Sequence, residues 1–334
     1  MHTELCQADD ASIRRAAALL RAGELVAFPT ETVYGLGADA LNGAAAARIF
    51  AAKGRPADNP LIAHIAGESG LAGLIAGEPC ACARKLMRAF WPGPMTLIFP
   101  KSPRVPREVT AGLDTVAVRM PSHPVARALI CAAQTPIAAP SANRSGRPSP
   151  TTAAHVLEDM EGRIPLILDG GPCEVGLEST VVDVTGARPR ILRPGGVTLE
   201  MLEGVVGDVD VDEGVLHQLQ AGSQARSPGM KYKHYAPKGE VTIVTGPRAA
   251  QEIARLYDAA DGRAAILAFS QADYGARRVY RLKNAPGELF AALRQLDEDG
   301  METIYAEDVP TTGVGLAVMN RLMRAAAFRV VEAQ

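Results

Sequence analysis

Cysteine is scarce in this chain, aromatic residues make up only 4% of it, and neither sign of charge dominates. Each shortage closes a class. Among 334 residues there are five cysteines, Cys6, Cys80, Cys82, Cys131 and Cys173. The count is odd and no Cys-x-x-Cys occurs, so the sequence offers neither a disulfide framework nor a zinc motif. Cys80 and Cys82 have no cluster of Cys or His around them and read as free or buried thiols. The six histidines include no His-Glu-x-x-His. The formal net charge is −2, whereas a protein that grips nucleic acid through its phosphates carries a basic excess. No apolar run reaches about 18 residues, and the N-terminus lacks a basic-then-apolar signal. The expectation is a cytoplasmic protein that does not span a membrane. No Gly-x-x-x-x-Gly-Lys-[Ser/Thr] occurs, so any ATP is held without a Walker loop. Gly313-Val314-Gly315 imitates a dinucleotide fingerprint, but Val318 stands where the third glycine belongs.

What is present is a globular composition, 47% apolar and 22% charged, long enough for two domains. Strands and helices alternate to about residue 204, which means an α/β sheet domain. Composition then turns acidic at Asp208–Gly214 and small and polar at Ala221–Arg226. A second, smaller Rossmann-like α/β pattern follows. The division read from this is 1–206, a linker at 207–238, and 239–334.

Chemistry concentrates between Phe28 and His64. The strand into Phe28 is followed by Pro29-Thr30-Glu31-Thr32-Val33-Tyr34-Gly35-Leu36-Gly37, with the glycines read as part of the connection. Asn42 starts a helix that ends at Lys53, and Gly54 suits its left-handed cap. Lys53-Gly54-Arg55-Pro56-Ala57-Asp58-Asn59-Pro60 then leads into a strand carrying His64. Lysine, arginine and asparagine on a proline-stiffened loop meet an anion at little ordering cost. A helical region is expected from Ser69 to Phe90. In Thr115-Val116-Ala117-Val118-Arg119 the alternation puts Arg119 with Thr115 and Ala117, opposite two valines. A guanidinium there needs an anionic partner or an exit to water. Ser122 is expected to cap one helix. The strand ending at Ala139 runs into Ser141-Ala142-Asn143, and Ser149-Pro150 reads as the N-cap and first residue of a helix at Thr151–Met160. A free helix N-terminus at that point also attracts phosphate.

These motifs resemble the Sua5/YrdC family. The resemblance rests on Pro29-Thr30-Glu31-Thr32-Val33-Tyr34-Gly35-Leu36, on Lys53-x-Arg55-Pro56-x-x-Asn59-Pro60-Leu61 and on Ser141-x-Asn143. Trp91-Pro92-Gly93-Pro94-x-Thr96, Gly176-x-x-Ser179-Thr180-Val181 and Arg193-x-Gly195 extend it. It implies a YrdC-like sheet domain followed by a Sua5-type C-terminal domain. It also implies synthesis of L-threonylcarbamoyl-AMP from threonine, bicarbonate or carbon dioxide, and ATP, for tRNA modification. Carried over residue by residue, it makes Lys53 and Arg55 catalytic. It places Thr32, His64, Arg119, Ala139 and Ser179 at the threonine and bicarbonate. It places Arg55, Asn59, Thr115, Ser141, Asn143, Ser149, Arg193 and Tyr235 at the ATP. Mg²⁺ is expected only through the triphosphate, since no carboxylate cage is visible. The product would pass to the tRNA threonylcarbamoyl transferase machinery.

Ser227-Pro228-Gly229-Met230-Lys231-Tyr232-Lys233-His234-Tyr235-Ala236-Pro237 matches the long members of the family. Aromatic and basic groups suit a lid over an anionic planar ligand better than a solvated tether. The site is expected in a cleft of the first domain, lined by the loops after the strands near Phe28, Val118 and Ala139. The rival reading is a non-enzymatic RNA-binding or ribosome-assembly protein. Near-neutral charge and the lack of an RNP, KH or OB pattern count against it and against tight nucleic-acid binding.

Overall fold

The computed structural model describes residues 2–217 and 235–334. Tyr232, His234 and the rest of 218–234 lie outside the described residues. The strands of the first sheet are β1 (Glu4–Gln7), β2 (Val26–Phe28), β3 (Gly35–Asp39), β4 (Ile62–His64), β5 (Met95–Pro100), β6 (Thr115–Arg119), β7 (Ile137–Ala139), β8 (Leu166–Asp169), β9 (Thr180–Asp183), β10 (Arg190–Arg193) and β11 (Asp210–Val211). Between them run α1 (Asp10–Arg21), α2 (Gly43–Lys53), α3 (Ala81–Phe90), α4 (Arg107–Thr110), α5 (Pro124–Ala133), α6 (Ala153–Met160) and α7 (Leu199–Val206). The sheet is mixed, in the order β1-β8-β2-β3-β7-β4-β6-β5-β9-β10-β11.

The second sheet holds β12 (Glu240–Thr245), β13 (Ala264–Ala268), β14 (Val279–Arg281), β15 (Thr303–Glu307) and β16 (Val330–Glu332). Its order is β14-β13-β15-β12-β16, and every pairing is parallel. Parallel strands need crossovers, and α8 (Ala249–Asp258), α9 (Ala285–Glu298) and α10 (Gly315–Ala325) supply three of them.

Alternation along the strands sorts the first domain into two faces. Ala27, Leu36, Ala63, Val116 and Val118 join a core with Ile49, Leu86 and Val156 from α2, α3 and α6. Val26, Phe28 and Ile137 turn the other way, onto Ile13, Leu20, Ala126 and Leu129 of α1 and α5. Farther along that second face the apolar cover thins to Ile62, Ile98, Ala117, Val181 and Leu192. Arg119 shares this side with Ala117, as the alternation required. The face left open by α1 and α5 is where the cavity forms.

Several local expectations need correction. Gly35 and Gly37 belong to β3, not to a turn. A Cβ at Gly37 would lie 2.7 Å from Ile137 Cγ2 and 2.9 Å from Phe28 Cε1, so tight packing selects glycine there. The region 69–90 is broken into a 3-10 turn at Glu68–Gly73 and α3, because Gly77 takes a left-handed conformation and Pro79 follows. The cap of α5 is His123, whose ring accepts from Val125 N–H, and Ser122 precedes it. Helix α6 starts at Ala153 behind Thr152, whose side chain accepts from His155 N–H. Ser149 is not its cap, because its hydroxyl is committed elsewhere. The sequence does not signal the edge strands β1, β11 and β16, and β11 extends the first sheet into the stretch expected to be linker. Each is short and pairs on one side only.

Candidate active site

One row of register partners crosses five strands: Ile137, His64, Arg119, Thr96 and Val181 lie side by side on β7, β4, β6, β5 and β9. This row puts an imidazole, a guanidinium and a hydroxyl on the open face. His64 Nδ1 lies 3.0 Å from Ile62 O and 3.3 Å from Ile137 O. Both partners are carbonyls, so Nδ1 carries the proton and Nε2 is left as an acceptor. Burial, reinforced by Arg119, pushes the ring down to about 3. His64 is therefore a neutral hydrogen-bond acceptor at ordinary pH.

Arg119 is 3% exposed, so its charge has to be answered within the protein. Nη1 donates to Thr32 Oγ1 at 2.8 Å, Nε to Gly93 O at 3.3 Å, and Nη2 lies 2.6 Å from Glu31 Oε1. Burial alone would raise the Glu31 carboxyl, but Arg119 outweighs it and holds the group below its usual range. Thr30 fixes the turn, sharing a hydrogen bond with Thr32 at 2.8 Å and donating to Val33 O. Tyr34 is tied away from the site, its hydroxyl donating to Gly171 O at 2.7 Å.

A second network lies at the end of α2. Lys53 Nζ donates to Ser141 O at 2.5 Å, Asn143 O at 2.6 Å and Asn143 Oδ1 at 3.3 Å. Ser141 Oγ donates to the same Oδ1, and Asn143 Nδ2 donates to Arg144 O and Arg147 O, both at 2.8 Å. Asn143 thus spends both amide hydrogens and its oxygen on the loop. Burial, then Arg55, lowers the Lys53 ammonium well below its ordinary range. Lys53 is the hub of the 141–147 loop. Arg55 donates to Asn59 O at 2.9 Å and lies 5.6 Å over the Phe50 ring, and burial brings it down to about 10.

A third group comes from β9, β10 and the C-terminal domain. Arg193 donates to Ser179 O at 3.0 and 3.1 Å and to Ser179 Oγ at 3.1 Å. That hydroxyl also pairs with Thr96 Oγ1 at 2.7 Å. Glu178, beside it, takes Ser149 Oγ–H at 2.5 Å on one oxygen and Arg321 Nε–H at 3.0 Å on the other. Tyr235 packs on Phe290 at 5.2 Å between ring centroids, and Ala236 N–H donates to Gly146 O.

These groups enclose a cavity of about 700 Å³, open mouth included. Thr32, Lys53, Arg55, His64, Arg119, Ala139, Ser141, Asn143, Ser179, Arg193 and Tyr235 all line it. Three expected residues do not. Asn59 is buried behind Arg55 and offers its carbonyl to it. Thr115 stands at the far end of β6, opposite Pro100. Ser149 is fully buried behind Glu178. Glu178 and Ser145 line the cavity and were not singled out. The signal for Glu178 was a carboxylate directly before Ser179.

The Sua5/YciO/YrdC family model, described as "Telomere recombination", matches residues 18–195, and the model "Threonylcarbamoyl-AMP synthase, C-terminal domain" matches 197–327. The chain belongs to the Sua5/YrdC family. Curated family members named threonylcarbamoyl-AMP synthase, from Pyrococcus abyssi and Bacillus subtilis, are each 49% identical to it. The first alignment covers 96% of this chain and 95% of the relative, the second 98% and 97%. The crystal structure of Pyrococcus abyssi Sua5 complexed with L-threonine superposes with a TM-score of 0.92 at 47% identity. It covers 100% of this chain and 99% of the other. The Sua5/YrdC likeness therefore extends over both domains. No helix among the described residues is long and apolar enough to cross a membrane.

Proposed function

We propose that this chain synthesises L-threonylcarbamoyl-AMP from L-threonine, bicarbonate or carbon dioxide, and ATP, and that the product serves tRNA modification. The observation that carries the reading is the pairing of a cavity-facing guanidinium, Arg119, with a neutral acceptor imidazole, His64, at one register position. An amino acid offers a carboxylate to the first and an N–H or O–H to the second. Arg119 anchors the carboxylate, with Thr32 and Ser179 beside it. The amine combines with bicarbonate, losing water, to give the carbamate. A carbamate oxygen then forms a bond to the α-phosphorus of ATP, and the bond to the β-phosphate oxygen breaks. Pyrophosphate leaves with the electron pair.

The protein's part is positioning and charge neutralisation. Lys53 and Asn143 hold the loop that presents Ser141, while Arg55 and Arg193 supply positive charge along the nucleotide. Asn59 acts through Arg55, and Ser149 through Glu178. Tyr235 closes the wall nearest the second domain. No group of three or more His, Cys, Asp or Glu side chains suited to a metal occurs among the described residues. Glu178, the carboxylate lining the cavity, is already paired. Mg²⁺ would be carried by the triphosphate, where it would neutralise phosphate charge. The first domain, whose sheet runs on to β11 (Asp210–Val211), would carry the reaction with the 239–334 domain behind it, in the cytoplasm, handing the product to a tRNA threonylcarbamoyl transferase.

Mass spectrometry of a reaction with ATP, threonine and bicarbonate tests this. Threonylcarbamoyl-AMP and pyrophosphate should form only when all three are present. RNA binding without pyrophosphate release would return the assignment to the non-enzymatic alternative.

A further inference from the structure

The C-terminal domain contributes a buried charge to a site that its own residues scarcely touch. Arg321 lies on α10 and its side chain is fully buried. Nε donates to Glu178 Oε2 at 3.0 Å, and Nη1 donates to Pro194 O at 2.5 Å. The guanidinium carbon sits 5.8 Å from the centroid of the Tyr235 ring. Glu178 is 143 residues away in sequence, on the cavity wall. The geometry points to Arg321 as a positioning residue that cancels the charge of Glu178, so that the first-domain cavity accepts a nucleoside triphosphate.

A carboxylate facing a cavity for a polyanion opposes its ligand, and in a dry site that opposition is only weakly screened. Glu178 is nevertheless present, because one of its oxygens accepts the Ser149 hydroxyl and holds the 141–151 loop against β9. Arg321 removes the electrostatic cost of that anchor. Arg193, the other guanidinium beside this segment, also acts on Glu178 through space, but it hydrogen-bonds the Ser179 carbonyl and hydroxyl, whereas Arg321 bonds the Glu178 carboxylate directly. Close fit between the domains keeps the arginine in reach. A Cβ at Gly176 would lie 2.6 Å from Gly287 Cα, so the domains touch there backbone to backbone. Arg294 of α9 makes a second such contact, donating to Pro148 O at 2.7 Å and Asp159 Oδ2 at 2.5 Å.

The inference rests on ATP occupying this cavity, and the test separates the two ideas. KM for ATP and kcat are measured at saturating threonine and bicarbonate in the full-length protein, for wild type, Arg321→Gln and the double variant Arg321→Gln/Glu178→Gln. Circular dichroism melting curves establish that each variant is folded at the assay temperature, because a reversibly unfolded fraction would itself raise the apparent KM. Arg321→Gln should raise the ATP KM roughly 30-fold with a smaller change in kcat, because an uncompensated carboxylate then faces the triphosphate. The double variant, which has neither charge, should return KM to within about five-fold of wild type. If Arg321 merely docks the domains, the second substitution rescues nothing, and a double variant as impaired as the single one overturns the proposal. Should Arg321→Gln not fold, the double variant decides alone. It removes both members of the pair, so a KM near wild type supports the proposal and a 30-fold rise contradicts it. A wild-type protein that does not consume ATP would instead count against the proposed function.

Discussion

Two buried arginine–carboxylate pairs border the cavity, and they are built in opposite senses. In Arg119–Glu31 the guanidinium lines the cavity and the carboxylate stands behind it. In Arg321–Glu178 the carboxylate lines the cavity and the guanidinium stands behind it. The first presents positive charge to an incoming carboxylate. The second hides a negative charge that the fold uses to anchor a loop. The same pair chemistry thus recruits a ligand in one place and prevents repulsion in the other. An ion pair's role depends on which member faces the ligand.

The largest way to break the comparison is to remove the cavity-facing member of the first pair. Arg119→Ala should weaken threonine binding by about 2–4 kcal/mol, read by calorimetric titration with threonine alone. Unchanged threonine affinity with lost ATP affinity would reverse the assigned roles. Next comes the loop hub. Lys53→Met takes the ammonium away from the Ser141 and Asn143 carbonyls, while Asn143 Oδ1 keeps the Ser141 hydroxyl. At roughly 1–3 kcal/mol for a buried group left unsatisfied, pyrophosphate release should fall about 100-fold, with threonine affinity changed far less. A variant that lost threonine affinity in proportion would place Lys53 at the amino acid.

Glu31→Gln sharpens the comparison from behind. It strands the Arg119 charge, so the protein should lose about 2 kcal/mol of stability. The threonine carboxylate then repairs the deficit. Threonine should bind about threefold tighter than to wild type and raise the melting temperature more. Weaker binding would mean that Glu31 chiefly orients the guanidinium.

The smallest expected effect is a flat line. His64 stays neutral down to about 3 through burial and Arg119. An unfolded histidine titrates near 6.5, so between those values the unfolded chain takes up a proton that the native one does not. Stability contributed here is complete above about pH 6.5 and is lost as pH falls toward about 3. Threonine affinity should stay level from about pH 8 to pH 5. A loss centred near 6.5 would show that the imidazole is exposed enough to charge.

Much of the first pair was legible in the sequence. Alternation in Thr115–Arg119 put Arg119 opposite the valines, and a guanidinium on an apolar strand announces a need for an anion. The same reasoning could not tell Glu31 from a substrate carboxylate, because Glu31 lies 88 residues away on a turn. The second pair was opaque. Arg294 and Arg321 occur on amphipathic helices, where an arginine ordinarily faces water, and nothing near them names a partner on another domain. Ser149 shows how local rules give way. Ser-Pro is a good helix start, but the hydroxyl goes to Glu178, 29 residues on, and Thr152 caps the helix instead. Asn59 and Thr115 matched the family motif or its neighbourhood, yet spacing alone could not show that one sits behind Arg55 and the other at the far end of β6.

On this reading the two pairs serve different substrates of one reaction. It is tested by measuring KM for threonine and KM for ATP in both Arg119→Lys and Arg321→Gln. The account predicts a crossed pattern. Arg119→Lys should raise the threonine KM about tenfold or more, since an ammonium loses the two-pronged carboxylate contact, and should leave the ATP KM within about threefold. Arg321→Gln should do the reverse. Equal rises of both constants in both variants would mean that the arginines support the cavity as scaffolding alone, and would contradict the account.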